Sequence, residues 1–201
     1  DSDIDSWNMC PILLEKAILD HQQTVTRNPA LKYKLYIRLP CRAPFYDYGD
    51  ALRDTSSFLN NIERFNNKPP LIIIVDNGST KQDVQAIRLV KQFKAKVIVI
   101  DHHNPGEINE EKSLIDDYVD VHINPYLVGS DSNFCTAILA LEISNLIVQI
   151  PKTYSHLAAI SIIRDKCEGQ DIKKYTELAI AQGYTPDFLN VLNTPNLSNL
   201  S

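Results

Sequence analysis

Two apolar runs of strand length, each ending in polar groups that bind metals, constrain the fold of this chain most. The run 71–75 ends at Asp76, and the run 97–100 ends at Asp101, His102 and His103. Continuous Val, Ile and Leu runs are typical of strands that are buried on both faces, as in a parallel sheet. The segment 80–93 between them has the pattern of an amphipathic helix with Thr80 as its N-cap. The unit is therefore predicted to be strand–helix–strand.

The ends of these two strands predict a cluster of side chains. Because the carboxyl ends of neighbouring parallel strands open into one crevice, we expect Asp76, Asp101, His102 and His103 to converge there. Carboxylates and imidazoles together are ligands for a divalent metal ion. An Asp after a strand is also a common helix N-cap, and one Asp-His-His sequence fits a solvated turn. Two successive strands that end in this way favour the metal interpretation.

Acidic residues also stand at two other places in the chain. Asp1, Asp3 and Asp5 alternate before a predicted helix at 11–23, where carboxylates lie near the positive end of the helix dipole. Taken alone, this segment is better explained as an acidic cap. A doubly wound fold needs a strand before it, so we expect the natural protein to have residues before Asp1. An apolar, helix-like run ends at Asp165, which by itself is an ordinary helix terminus.

In chain order, the four motifs are the Asp-x-Asp pair of Asp3 and Asp5, then Asp76, then 101–103, then Asp165. In this order they resemble those of the DHH phosphoesterase superfamily, which includes RecJ-type exonucleases and manganese-dependent inorganic pyrophosphatases. The segment 124–131 is similar to the one that follows Asp-His-His in archaeal RecJ-like proteins. With the element pattern, the resemblance implies an α/β fold with a parallel, doubly wound sheet and a helical C-terminal third. We expect a single DHH-type domain over residues 1–201. Nothing after about residue 181 matches the second, substrate-gripping domain of the nucleases.

The resemblance also implies the roles of the site residues. Asp76 would bridge two Mn²⁺ or Mg²⁺ ions, and Asp76, His102 and His103 would act in catalysis. The implied metal ligands are Asp3, Asp5, Asp76, Asp101, His102 and Asp165. In the family a further His ligand lies just upstream of the Asp-x-Asp motif. Because no such His precedes Asp3 in this sequence, one metal site is expected to be weak or empty.

The first motif points to one branch of the family. The segment 3–13 is similar to the RecJ-like subunit of the CMG helicase, which joins the MCM motor to the GINS complex. The nucleases carry Gly and Ser where this chain has Ser6 and Met9, and such a Gly lets a ligand approach the backbone closely. The resemblance implies an archaeal replication factor that associates with GINS and MCM as a helicase scaffold with a degenerate metal site.

Three other functions remain open at this point. The first is a Mn²⁺-dependent 5′→3′ exonuclease for single-stranded DNA, since most of the motif residues are intact. The second is a phosphodiesterase or pyrophosphatase for small substrates. The third is a metal-free structural domain, which would require the four motif matches to be chance.

Composition limits the partners. The net charge of −5 and the lack of clustered Lys and Arg exclude strong autonomous binding of nucleic acid, so we expect only weak binding of single-stranded DNA. No apolar run reaches membrane-spanning length, and the scattered cysteines fit a reducing compartment, so we expect a cytoplasmic protein. The resemblance implies that it associates with the nucleoid. The four cysteines form no CxxC pair, which predicts buried free thiols and no zinc site. The aromatic loop 45–48 and the C-terminal helices are candidate partner surfaces, although a self-packed loop is the preferred interpretation.

Overall fold

The computed structural model describes residues 9–25, 45–65, 67–148, 154–185 and 187. The elements are α1 (Cys10–Val25), α2 (Tyr48–Asn60), β1 (Leu71–Val75), α3 (Val84–Gln92), β2 (Lys96–Ile100), β3 (Val121–Ile123), α4 (Thr136–Ile147), α5 (Ser155–Arg164) and α6 (Gln170–Ala181). Short 3₁₀ turns occupy Ile62–Phe65, Leu114–Asp117 and Pro125–Val128. Contacts divide the described residues into two compact units. The first holds α2, α3 and the three strands, and the second holds α1 and α4–α6.

The first unit contains a parallel sheet in the order β1-β2-β3. Ile73 of β1 lies opposite Ile98 of β2, and Ile98 lies opposite Val121 of β3. Helix α3 is the crossover between β1 and β2, and its Ile87 and Val90 are buried in the same apolar cluster as strand residues of the sheet. The prediction of an α/β fold with a parallel sheet is confirmed.

The crossover helix begins later than the sequence predicts. Helix α3 starts at Val84, after a turn at residues 80–83. The Asp83 carboxylate closes this turn, because it accepts hydrogen bonds from the Thr80 backbone N–H (2.8 Å) and from Thr80 Oγ1 (2.6 Å). Burial raises the pKa of Asp83, and the hydrogen bonds from Thr80 and from the Tyr46 backbone act in the opposite direction. Thr80 therefore anchors a turn before the helix.

The aromatic loop before α2 is packed against its own unit. The Tyr46 side chain is buried, its backbone N–H donates to Asp83 (2.6 Å), and its hydroxyl donates to Asp54 (2.8 Å). Asp47 caps α2 by accepting the Asp50 N–H at 2.7 Å. Tyr48 alone keeps half of its surface exposed. The structure therefore agrees with the preferred interpretation of a self-packed loop.

One carboxylate joins the crossover helix to the sheet. Asp120, which directly precedes β3, accepts hydrogen bonds from Lys91 Nζ (2.5 Å), Lys96 Nζ (2.7 Å) and the Val97 N–H (2.8 Å). These donors, Lys91 first and then Lys96 and Val97, hold the pKa of the Asp120 carboxyl well below its usual range. Lys91 and Lys96 thus serve an internal ion-pair network.

The regular elements in the described residues of the second unit are all helices, as predicted for the C-terminal third. Ala159 and Ile160 of α5 pack on Ala179 of α6, and Met9 and Tyr184 cover this cluster. The sequence also predicts a strand at 33–38 and a helix at 186–192. The strand and nearly all of this helix lie outside the described residues. No helix in the described part of the chain is long and apolar enough to cross a membrane.

Candidate metal centre

Strand β1 ends in a strained turn that places a buried carboxylate. Asp76 is fully buried and has a φ of +60°, a left-handed conformation that costs a non-glycine residue about 1–3 kcal/mol. Its backbone N–H donates to the Ile100 carbonyl (2.9 Å), which extends the β1–β2 ladder by one bond. Gly78 follows at φ +100°, where a Cβ atom would lie 3.1 Å from Ile74 and 3.2 Å from Val99. The turn therefore needs glycine at position 78.

His102 is oriented as a metal ligand. Its Nδ1 lies 2.9 Å from the Ser132 carbonyl oxygen. Because a carbonyl only accepts, Nδ1 carries a proton, and in the neutral ring Nε2 keeps its lone pair. Nε2 lies 3.5 Å from Asp76 Oδ1, which is long for a hydrogen bond. Two ligands at ~2.1 Å from one cation would be about 3.0–3.4 Å apart. The two atoms are therefore placed to share a cation.

Asp101 supports the neighbouring histidine from the end of β2. Oδ1 of its buried carboxylate accepts the His102 N–H (2.8 Å), the His103 N–H (3.2 Å) and His103 Nδ1 (2.7 Å), and Oδ2 accepts the Ser79 N–H (3.2 Å). Burial acts to raise the pKa of Asp101, but hydrogen bonds and positive charge from His103 outweigh it, so the pKa is lowered. Asp101 is therefore an ionised acceptor that fixes the His103 ring.

Three of the predicted site residues come together. Three potential metal-ligand atoms lie within 4.8 Å of one another, one each from Asp76, His102 and His103. Asp76 and His102 are buried, whereas His103 has a third of its side chain exposed. The buried side-chain oxygen of Asn77 accepts no hydrogen bond within the described part of the chain. Mixed oxygen and nitrogen donors, with a buried amide oxygen on the residue that follows Asp76, fit a divalent cation such as Mn²⁺.

A chain of hydrogen bonds lies behind this cluster. Asn124 donates from Nδ2 to the His103 carbonyl (2.9 Å) and to Ser79 Oγ (3.0 Å). Ser79 Oγ lies 2.9 Å from His122 Nε2, and His122 Nδ1 lies 3.2 Å from Asp116 Oδ2. Because the Asp116 carboxylate only accepts, Nδ1 of the neutral His122 ring carries the proton, and Nε2 accepts from the Ser79 hydroxyl. Sequence reasoning missed Ser79 and His122. The available signal was His122 itself, a histidine within the weakly alternating run 119–123.

Two of the other predicted ligands lie outside the described residues, and the third belongs to the second unit. Asp3 and Asp5 belong to the segment that the structure does not describe. Asp165 is the C-cap of α5 in the second unit, where it groups with Cys135 and Cys167. The roles implied for Asp3, Asp5 and Asp165 at the metal centre stay predictions.

The parallel sheet and the cluster at its carboxyl edge define an α/β protein with a candidate centre for a divalent cation. Comparison with known proteins gives the family. Residues 2–162 match the DHH family, N-terminal domain, and the chain belongs to this family.

Two known proteins are similar to this chain over most of its length. The chain is 38% identical over 170 residues to the uncharacterized protein MJ1198 of Methanocaldococcus jannaschii. This match covers 84% of this chain and 22% of that protein. It is also similar to the solved DHH domain of PF0399, a member of the s1p family of ribosomal proteins. That match has a TM-score of 0.81 and 34% identity, and it covers 90% of this chain and 42% of the other. The chain thus spans less than half of either relative.

Proposed function

We propose that the cluster of Asp76, His102 and His103 hydrolyses phosphate esters with bound Mn²⁺ or Mg²⁺. DHH phosphoesterases typically depend on divalent metals, and this chain belongs to the DHH family. The orientation of His102 carries the proposal. Its Nδ1–H is committed to Ser132, and its Nε2 lone pair lies 3.5 Å from the Asp76 carboxylate. A lone pair beside a carboxylate is repulsive unless a cation lies between them.

The residues of the cluster would have different roles in binding the cation and the substrate. A bound cation would polarise a phosphoryl oxygen and lower the pKa of a water molecule. Asp76 and His102 would hold it from a buried position. His103 is the more exposed member, and its Nδ1 is held by Asp101 at 2.7 Å. Its other ring nitrogen would donate to a substrate phosphate or complete the ligand set.

The substrate class that we propose is single-stranded nucleic acid, cleaved from its 5′ end. The resemblance to RecJ-type exonucleases supports DNA. The similarity to PF0399, a member of a ribosomal protein family, makes RNA the second polymer to test. With a net charge of −5, the chain repels a phosphodiester unless a cation neutralises the site. Substrate binding should therefore depend on the same cation as cleavage.

A comparison of two histidine variants tests this proposal. 5′-Labelled single-stranded DNA and RNA are incubated with the purified protein and Mn²⁺, and product release is followed over time. We expect His102→Ala to lower the rate at least about 100-fold, since even changes outside the ligand set cost 10–100-fold. His156→Ala is the matched control, because His156 stacks on Tyr184 in the second unit. It should keep the wild-type rate.

Mn²⁺ binding is measured on the same proteins by calorimetry and thermal unfolding. A ligand that binds only the folded state stabilises it by about 2.7 kcal/mol at 100 times its dissociation constant. We expect this stabilisation in wild type and His156→Ala, but not in His102→Ala. Equal cleavage rates for wild type and His102→Ala, or Mn²⁺ binding that His102→Ala leaves intact, would refute the proposal.

A second candidate function is that of a replication scaffold. We propose, as the alternative, that this archaeal domain associates with GINS and MCM and has a weakened metal site. Besides the first-motif resemblance, one packing observation supports it. At the position where the nucleases have Ser, Met9 packs on Ala159, Ile160 and Ala179. This position thus serves the core of the second unit and offers no hydroxyl to a substrate.

The scaffold function is tested by partner binding without the site. Purified protein and the double variant Asp76→Ala/His102→Ala are mixed with GINS and with MCM, and complexes are measured by sedimentation. Equal binding by both proteins, together with no metal-dependent cleavage, would favour the scaffold. A permanent complex should bury at least ~1,000 Å². Failure of wild type to bind either partner would exclude it.

A further inference from the structure

We infer that Asn124, which directly follows β3, is a positioning residue for His103, and that its side-chain amide sets how this histidine meets the substrate. The inference rests on the proposed function, in which His103 is the exposed member of the cluster. Asn124 is buried, and its Nδ2 lies 2.9 Å from the His103 carbonyl oxygen. It would act on the reaction only through the histidine that it holds.

The hydrogen bonds of the Asn124 amide fix its orientation. Oδ1 accepts the Tyr126 N–H at 3.0 Å, which caps the 3₁₀ turn Pro125–Val128. Nδ2 donates to the His103 carbonyl and to Ser79 Oγ, the latter at 3.0 Å. A flipped amide would turn its oxygen toward a carbonyl and its amino group toward an N–H, so only one orientation is compatible with these partners. The oxygen and both amide protons are therefore engaged.

The local sequence restricts the backbone of Asn124. Asn124 precedes Pro125, and a residue before proline favours the extended region. Its φ of −148° and ψ of 129° lie in that region, and Pro125 then starts the 3₁₀ turn. Because the unfolded chain is restricted in the same way, less conformational entropy is lost when the amide is held in place.

The backbone that carries His103 lies beyond the ladder of the sheet. The Asp101 N–H donates to the Ile123 carbonyl at 3.0 Å, one position past the end of β2. After this bond, two side chains hold the backbone of His103. Asp101 Oδ1 accepts its N–H at 3.2 Å, and Asn124 donates to its carbonyl. With both groups held, the ring is directed to Asp101, which Nδ1 reaches at 2.7 Å.

The two histidines of the cluster are oriented by different groups. The His102 ring is held by the Ser132 carbonyl, 2.9 Å from its Nδ1, whereas the His103 ring is held by Asp101, with Asn124 behind its backbone. Loss of the Asn124 amide should therefore loosen His103 and leave His102 in place. Cation binding by the buried pair of Asp76 and His102 should persist, and use of the substrate should suffer.

Nuclear magnetic resonance of the ¹⁵N-labelled full chain tests this inference without an activity assay. The Nδ1–H protons of His102 and His103 both have acceptors, so both should exchange slowly with water, and each is assigned by its loss in the corresponding alanine variant. In Asn124→Ser a hydroxyl still caps the turn, but the shorter side chain cannot reach the His103 carbonyl. We expect the His103 proton to exchange about 10-fold faster in this variant, and the His102 proton to keep its wild-type rate.

A second variant and a control accompany this measurement. Asn124→Asp keeps the size of the side chain and the cap but turns an oxygen toward the His103 carbonyl, so it should show the same difference between the two protons. Thr55→Ala is the matched control in the same unit, because it removes a buried hydroxyl whose hydrogen bond to the Ala51 carbonyl (2.8 Å) lies within α2. It should keep both exchange rates. Circular dichroism checks that all variants fold.

Kinetics with Mn²⁺ and 5′-labelled single-stranded DNA connect the position of His103 to substrate use. We expect Asn124→Ser to lower kcat/KM by about 10–100-fold, as do other changes behind the ligands of a metal site. Its dissociation constant for Mn²⁺, measured by calorimetry, should stay within about 2-fold of wild type, since the buried pair is intact. Thr55→Ala should keep the wild-type value of kcat/KM.

The exchange rates and the kinetics separate this inference from the proposed function. If wild type cleaves neither DNA nor RNA, the proposed function fails, and the exchange rates alone decide whether Asn124 positions His103. The inference is overturned if Asn124→Ser leaves the His103 proton unchanged, or if the protons of both histidines exchange faster to the same extent, which would mean a general loosening of the unit. It is also overturned if wild type cleaves DNA and Asn124→Ser keeps its kcat/KM, or if this variant loses its affinity for Mn²⁺.

Discussion

Removing one buried hydroxyl, in the variant Ser79→Ala, tests whether the hydrogen-bond chain behind the metal cluster holds the first unit together. Ser79 is fully buried, and its hydroxyl is bonded on both sides, to His122 Nε2 at 2.9 Å and to Asn124 Nδ2 at 3.0 Å. Alanine leaves the His122 lone pair and one Asn124 N–H without their partner. Each buried polar group left in this way costs about 1–3 kcal/mol.

Two such groups together cost about 2–6 kcal/mol, and we expect Ser79→Ala to lower the free energy of unfolding by about 2–3 kcal/mol, at the lower end of this range. For a domain of this size the melting temperature should fall by about 4–12 °C. The hydrogen bond from Asn124 to the His103 carbonyl is separate and should persist. The loss of stability therefore measures the two hydrogen bonds of the Ser79 hydroxyl, to His122 and to Asn124. Urea unfolding followed by circular dichroism gives the free energy from the midpoint and slope.

A second buried serine provides the matched control. Ser144 on α4 is also fully buried, but its hydroxyl has no hydrogen-bond partner in the described part of the chain. Ser144→Ala removes the same atom from a similar environment and improves helix propensity by about 0.5 kcal/mol. It should be neutral or slightly stabilising. If Ser79→Ala is no more destabilising than Ser144→Ala, the hydrogen-bond chain contributes nothing measurable and the reasoning is wrong.

Two further predictions concern the turn after β1 and the pairing of β2 with α3. Gly78→Ala should destabilise the protein by about 2–4 kcal/mol, since it combines a positive φ with contacts of 3.1–3.2 Å, whereas Gly106→Ala has open space and should cost about 1 kcal/mol. Similar losses in urea unfolding for both glycine variants would contradict this prediction. Asp120→Asn should cost about 1 kcal/mol at pH 7, because it removes two partly exposed lysine pairs. The pKa of Asp120 is lowered in the folded state, so its contribution is complete above the ordinary value of 3.8 and is lost as the pH falls below it. The difference between wild type and Asp120→Asn should therefore shrink between about pH 4 and about pH 2, and a constant difference would show that the ion pairs are not its source.

The sequence by itself determined the parallel strand–helix–strand unit. The runs 71–75 and 97–100 are apolar at every position, which is typical of strands in a parallel sheet. Burial on both faces holds for β2, where Val97, Val99 and Ile100 are buried, but in β1 only Ile74 is buried and Leu71 is exposed. The same logic placed Asp76 and the pair His102–His103 at one edge, because parallel strands carry their carboxyl ends to the same side. The start of the crossover helix was predicted too early, since the sequence does not show that the Asp83 side chain closes a turn on Thr80.

Only the tertiary structure decided which atoms of these residues meet. The tautomer of His102 is set by the Ser132 carbonyl, thirty positions away in the sequence. The partner of Ser79 is a histidine on β3, and Cys135 meets Cys167 through the packing of two helix ends. Periodicity records which face of an element is buried, but it carries no information on contacts between distant segments. Those contacts depend on strand register and loop closure, which are properties of the folded chain.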